Sequence, residues 1–230
     1  MEKAVLMSMQ PNWCALVGSG KKKDEIRKTK PTQETPFKVL IYCTANKQGT
    51  KDLLEIHGTD GIIRKANCKV IGEFVCDSIT HYDAELWDDE TFECIQEIYE
   101  PDDFAEYGEY EHKLIADNSD DDWKRNPLVK TSCVSIEELR KYLGQGFHDF
   151  YAWHISDLVI YDKPKELTDF IIPSKIGCCN DGKCSGCRWF DSGNGFDVED
   201  DCHAPFCTDE YKPLKRPPQS WCYVEECEHN

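Results

Sequence analysis

The chain has 230 residues, of which 40% are hydrophobic, 31% charged and 11% aromatic. That length holds one large domain or two small ones, and the composition excludes a disordered or collagen-like chain. No apolar run reaches the ~20 residues of a membrane helix and the start has no signal-peptide pattern, so a soluble, cytoplasmic protein is expected.

Residues 3–9 are a short apolar strand candidate. Pro11 opens one or two turns of helix through Trp13, Cys14, Leu16 and Val17, and Gly18-Ser19-Gly20 ends it. Six of the ten residues Lys21 to Lys30 are basic. Phe37 to Ala45 reads as a strong strand, and residues 46–61 as a polar, glycine-bearing loop. Cys68 to Tyr82 reads as a second long strand, with Gly72 at a bulge or a close approach. Leu86, Phe92, Ile95 and Ile98 have rough helical spacing. Ser135 to Leu143 is the clearest helix: Ser135 and Glu138 form a capping box, and Gly144 stops it. Phe150 to Tyr161 is a third long strand, ended by Pro164. Strands separated by long excursions argue against a doubly wound sheet. The expected class is α+β, a small mixed β-barrel with short helices.

Charge is unevenly placed. The net charge is −17, yet Asp83 to Asp122 alone hold seventeen acidic residues and one basic one, Lys113. An acidic insertion at about 83–125 is therefore expected, as a solvated excursion, a negative mimic of nucleic acid or a docking face for a basic protein partner. Fourteen cysteines are polarised too, with eight in the last 58 residues. The expected division is a domain over 1–172 and a Cys-rich tail over 173–230.

In the tail, Cys179-x4-Cys184-x2-Cys187 is followed by Cys202-His203-x3-Cys207. Two close cysteine pairs separated by a loop suit a tetrahedral site, in which thiolates approach zinc to roughly 2.3 Å. Cys184, Cys187, Cys202 and Cys207 are the preferred ligands, with Cys179, His203 and Cys222 as substitutes. An iron–sulfur cluster and free thiols are the alternatives. Four protein ligands leave no open position, which implies a structural zinc.

Four stretches resemble the ASCH domain of the PUA-like superfamily. They are the opening strand with Pro11-Asn12-Trp13, the run Gly20-Lys21-Lys22-Lys23-Asp24-Glu25-Ile26-Arg27, the strand Lys69 to Phe74, and Tyr151 to Leu158. The second is similar to the family's Gly-x-Lys-x-x-x-x-Arg signature. The whole chain resembles ASCH proteins of bacterial prophages that end in a Cys-rich tail and a stretch like Pro217-Pro218-Gln219-Ser220-Trp221-Cys222-Tyr223. The resemblance implies a PUA-like barrel with a cleft beside the Lys/Arg motif and RNA, a nucleotide or a modified nucleobase as ligand. Some family members hydrolyse acetylated cytidine with a lysine and a threonine of the signature. Lys22 stands at the lysine place, Arg27 at the arginine place and Glu25 at the threonine place.

On a strand, Glu25 and Arg27 share a face because side chains alternate with period two. A carboxylate beside a guanidinium is a poor general acid. The basic run is either a solvated turn or an anion contact. Glu73, in an apolar strand, faces outward or into a cleft. Trp13 and Trp153 are core residues or platforms for a splayed base. The primary expectation is a binding module using Trp13, Lys22, Glu25, Arg27 and Trp153. The alternative is an amidohydrolase on a modified nucleoside, with Lys22, Glu25 and Glu73 as catalytic residues.

Purified under reducing conditions, the protein is expected to hold about one zinc per chain. Replacing Cys184 and Cys187 with serine should release it. Metal analysis finding no zinc decides against the site.

Overall fold

β-Branched and aromatic runs become strands here, and two packed sheets result. The computed structural model describes residues 3–45, 54–86, 92–100, 109–117, 127–172 and 214–226. The strands are β1 (Ala4–Met9), β2 (Asp24–Arg27), β3 (Phe37–Cys43), β4 (Glu55–His57), β5 (Ile63–Lys65), β6 (Lys69–Cys76), β7 (Ile79–Leu86), β8 (Phe92–Glu100), β9 (Glu109–Asp117), β10 (Gly146–His154), β11 (Ser156–Lys165), β12 (Phe170–Ile171) and β13 (Trp221–Glu226). The helices are α1 (Pro11–Gly18), α2 (Pro127–Ser132) and α3 (Ile136–Leu143), with a 3₁₀ turn at Leu167–Asp169.

One sheet has the order β11-β6-β3-β1-β13-β12 and the other β2-β10-β7-β8-β9; β4 and β5 form a separate ribbon. β1 and β3 run parallel, while β3–β6, β6–β11, β1–β13 and β12–β13 are antiparallel. The class is α+β and sheet-dominated. Among the described residues, no strand pairing joins the two sheets into a closed barrel.

Side-chain alternation builds three layers of core. Met7, Val39, Ile41 and Phe74 of the first sheet meet Trp153 of the second, with Cys14 and Val17 of α1 at one end. On the first sheet's other face Leu6, Leu40, Tyr42, Val70 and Val224 pack under Phe170 and Leu214. On the second sheet's other face Ile26, Tyr82, Ala84, Phe150 and Ala152 pack under Leu128, Ile136, Leu139 and Leu143. β1, covered on both faces, is buried along its whole length, as a central strand of a two-sided sheet must be.

Two expected long strands prove to be two strands each. The run from Cys68 breaks at Asp77-Ser78, and the run from Phe150 breaks at Ile155. At both breaks the chain leaves one sheet and enters the other. The His154 amide donates to the Ser78 carbonyl at 3.0 Å and pins the corner, the usual device where strands switch sheets. Hydropathy stays β-like through such a corner, so sequence pattern does not reveal it. The rough helical spacing of Leu86, Phe92, Ile95 and Ile98 does not make a helix. β8 pairs with β7 on one side and with β9 on the other, so much of the acidic segment extends the second sheet. Part of the expected 46–61 loop is the β4 strand of the ribbon. The α3 capping box forms as expected, with the Glu138 amide donating to Ser135 Oγ at 3.2 Å.

Gly72 fulfils the close-approach reading. A Cβ there would lie 2.2 Å from the Val159 carbonyl oxygen, so any larger residue pushes β6 and β11 apart. Residues 173–213 and 227–230, including Cys184, Cys187, Cys202, Cys207, Cys179 and His203, lie outside the described residues. Residues 221–226, assigned to the tail by composition, are instead the antiparallel neighbour of β1 inside the first sheet.

Burial of weak acids couples this core to pH. Burial foremost pushes the Cys76 thiol up to about 12, the Tyr42 phenol to about 12 and the Cys222 thiol to about 11. Each folded value lies above its unfolded value. The unfolded chain therefore loses protons first, and stability present below the unfolded values is lost as pH rises through the folded ones. Urea midpoints should hold near pH 8 and fall progressively from about pH 9 to about pH 12. Cys76→Ala should flatten part of that slope. A profile independent of pH in this window would contradict the assignment.

Candidate binding site

The site begins with a turn. After α1, Gly20 adopts φ +70, a left-handed conformation that favours glycine. The amides of Lys21 and Lys22 then donate back to the Leu16 carbonyl at 3.0 and 3.1 Å. The Lys23 amide donates to the Thr131 carbonyl at the end of α2, and the chain enters β2 as an edge strand on β10. In that register Glu25 lies opposite Trp153 and Arg27 opposite Tyr151. Ile26 turns the other way, into the core beneath α2 and α3. Period two thus sends Glu25 and Arg27 to the inner face, where the sheets meet.

There they form a buried ionic cluster with Lys22. Lys22, Glu25 and Arg27 are 2%, 6% and 7% exposed. Arg27 Nη2 lies 2.9 Å from Glu25 Oε1, and Lys22 Nζ lies 3.3 Å from Glu25 Oε2. Lys22 Nζ also donates to the Ser132 carbonyl at 2.5 Å and sits 4.8 Å from the centroid of Trp13. Arg27 Nη2 donates to the Ser8 carbonyl at 2.7 Å, and Nη1 donates to Ser220 Oγ at 3.4 Å. Three side chains thereby connect β2, β1, the end of α2, α1 and the approach to β13. The Cys14 thiol, close enough to feel the Glu25 charge, is held well above its ordinary value, mainly by its hydrogen bond with Cys43 and by burial.

The remaining basic residues of the segment behave differently. Lys21, Lys23, Lys28 and Lys30 are exposed. Lys28 Nζ stands 5.2 Å over the Tyr142 ring and Lys30 Nζ 5.5 Å over Tyr151. Tyr151 is itself stacked on His81 at 4.9 Å. The segment is neither a wholly solvated turn nor a wholly inward one. It is a short edge strand with flanking turns, two of its cations buried and four outside.

The sequence-derived residues are partly assembled. Trp13, Lys22, Glu25 and Arg27 lie together. Trp153 is beside them but fully buried, edge-on to Phe37 at 5.7 Å and tilted against Trp221 at 6.0 Å. It is a core residue and offers no open face for base stacking. Glu73 lies elsewhere. It is opposite Leu40 in register, so it shares Leu40's face, away from the inter-sheet core that holds Trp153. There it accepts a hydrogen bond from Tyr161 and pairs with Lys38 at 3.9 Å. Burial foremost, then the Glu73 contact, pushes the Tyr161 phenol well up. The structure does not unite Glu73 with Lys22 and Glu25. Cys222 is part-buried in β13, and among the described residues no group of three metal-ligating side chains forms.

Sequence reading passed over Ser8, Ser132 and the role of Ser220. Two of them act through backbone carbonyls, which carry no residue-type signal. Trp221, whose Nε1 donates to Thr29 Oγ1 at 3.0 Å, lies in the Pro217–Tyr223 stretch that the sequence singled out only by resemblance.

No protein-family model matches the chain, and no curated protein does. Structural neighbours are ASCH domain proteins. The crystal structure of ASCH from Zymomonas mobilis is similar at 14% identity and a TM-score of 0.43, covering 96% of this chain and 87% of that one. A tyrosine-to-phenylalanine variant of the same protein is similar at 14% identity and a TM-score of 0.43, covering 96% and 90%. A serine-to-alanine variant is similar at 13% identity and a TM-score of 0.42, covering 96% and 88%.

The cluster should matter to folding. Glu25→Gln removes the carboxylate that both buried cations share, and breaking a buried pair on one side typically costs about 3–5 kcal/mol. Denaturant unfolding of the variant should show a loss of that order. A loss below about 1 kcal/mol, the range of surface pairs, would mean the cluster is solvated in solution.

Proposed function

We propose that the chain is a nucleotide- or RNA-binding module of the ASCH/PUA-like kind, gripping the ligand's backbone along the β2 edge. The observation that carries this reading is the split of the basic segment. Lys22 and Arg27 are spent on anchoring the strand, while Lys21, Lys23, Lys28 and Lys30 remain outside, two of them over tyrosine rings. Exposed lysines beside aromatic side chains suit a phosphate backbone with unstacked bases. The acidic segment opposes long-range steering of a polyanion, so weak and salt-sensitive binding is the form this activity takes.

Hydrolysis of an acetylated nucleoside is less well supported. Glu25 already accepts from both Lys22 and Arg27, and its negative charge would oppose a developing oxyanion. Glu73, the other carboxylate in that scheme, lies on the far face of the first sheet. Lys22 is held by the Ser132 carbonyl and the Trp13 ring, a setting for anchoring a charge rather than moving a proton. A structural zinc in the tail remains part of the proposal, supported by the spacing of Cys184, Cys187, Cys202 and Cys207.

A titration of single-stranded RNA into the full chain tests the reading. Affinity should fall steeply from about 50 to about 200 mM salt. The double variant Lys28→Ala, Lys30→Ala should weaken binding and lower the salt slope by up to about two. Affinity that is absent at low salt, or unchanged in the double variant, ends the idea. Robust turnover of acetylated cytidine that disappears in Lys22→Ala would replace it with the hydrolase reading.

A further inference from the structure

The buried cluster is not electrically complete. Lys22 and Arg27 share one carboxylate, Glu25, so the group carries one positive charge more than its ion pairs cancel. An excess charge taken out of water is costly unless another partner meets it.

The hydrogen bonding is incomplete at the same place. Arg27 has five N–H donors. Its terminal nitrogens reach Glu25, the Ser8 carbonyl and Ser220 Oγ, but among the described residues Nε is buried without a partner. Trp153 Nε1, on a fully buried ring, is also without one among these residues. Such orphans are few in folded proteins, and each calls for an acceptor.

The two residues that carry them are neighbours. Glu25 is opposite Trp153 and Arg27 opposite Tyr151, so Arg27 and Trp153 are diagonal on one face of the β2–β10 pair. Both side chains also touch one corner of the chain. Arg27 Nη1 donates to Ser220 Oγ, and the Trp153 ring packs on the ring of the next residue, Trp221. Trp221 is half-buried and stands between this corner and the exposed Thr29.

We infer that the corner formed by Arg27, Trp153 and Ser220 is a subsite for one phosphate group, with Trp221 at its mouth. Phosphate oxygens accept from N–H and O–H groups, and a negative charge answers the excess positive one. The site is built for an acceptor rather than a donor, since both free groups there are N–H. The inference rests on the proposed nucleotide-binding reading and names the part of the ligand that enters.

Calorimetric titration of the full chain with inorganic phosphate, uridine 5′-monophosphate and uridine tests it. The monophosphate should bind at least about tenfold more tightly than the nucleoside. Phosphate alone binding as well as the monophosphate would assign the subsite to the free ion, and weaker binding would assign it to a nucleotide; either supports the subsite. Arg27→Lys keeps the charge but removes the guanidinium, Nε–H and the donor to Ser220 together, and should weaken the monophosphate by about tenfold. Trp153→Phe keeps an aromatic ring but removes Nε1–H, and should weaken it by about threefold to tenfold. Circular dichroism and the urea midpoint identify a variant that fails to fold, and the other variant then carries the comparison. Equal affinity for nucleoside and monophosphate, no heat with either phosphate probe, or folded variants that bind as before would overturn the subsite. RNA binding that depends on Lys28 and Lys30 while the phosphate probes stay silent defeats this inference alone. Inorganic phosphate binding with no affinity for RNA at low salt and no tighter binding of the monophosphate than of phosphate defeats the wider reading alone.

Discussion

Everything near β2 depends on the contact between Arg27 and Glu25, 2.9 Å apart and shielded from water. β2 is only four residues long and lies at the end of its sheet. A strand that short has too few ladder hydrogen bonds to hold its place alone. The guanidinium adds what the ladder lacks. It reaches out of the second sheet to the Ser8 carbonyl in the first, and to Ser220 just before β13. Lys22 extends the same network to the end of α2 and to the α1 ring of Trp13. A buried ion pair is a poor source of net stability, but it is directional. Here the directionality sets how the two sheets meet at this edge.

That anchoring separates two roles within ten residues of sequence. Inward-facing side chains hold the strand, while the lysines around it are exposed, Lys28 with its Nζ donating to the Leu143 carbonyl at 3.0 Å. The same separation weakens the catalytic alternative. A group already bonded to several fixed partners is not free to shuttle a proton, and Glu25 and Lys22 are both so bonded. The second carboxylate of that scheme fails for a topological reason: Glu73 and Leu40 face the same way, and Leu40 belongs to the core layer on the far side of the sheet.

The return of the chain in β13 has a physical logic of its own. β1 is buried on both faces and needs a hydrogen-bonded neighbour on each side. β3 supplies one and β13 the other. A strand from the far end of the sequence thus completes the centre of the first sheet, and brings Ser220 and Trp221 to the ionic cluster.

Local chemistry in the sequence determined a good deal. Pro11 and Gly20 bracket α1, Ser135 and Glu138 cap α3, and apolar β-formers mark β1 and β3. Gly72 signals a close approach, and period two places Glu25 beside Arg27. Each is settled by residues within a few positions of one another. Tertiary structure alone decided the rest. The strand breaks at Asp77 and Ile155 lie inside continuous β-like runs, because a corner between sheets changes partners without changing hydropathy. The acidic segment pairs as β8 and β9 although its apolar spacing resembles a helix, since ladder hydrogen bonds to β7 override a weak periodicity. Trp153 is core and Glu73 faces away because a side chain's face depends on register with strands far off in sequence. The partners of Lys22 and Arg27, namely Ser132, Ser8 and Ser220, lie 110, 19 and 193 residues away. Two of those bonds go to backbone carbonyls, which every residue possesses, so no pattern of residue types announces them.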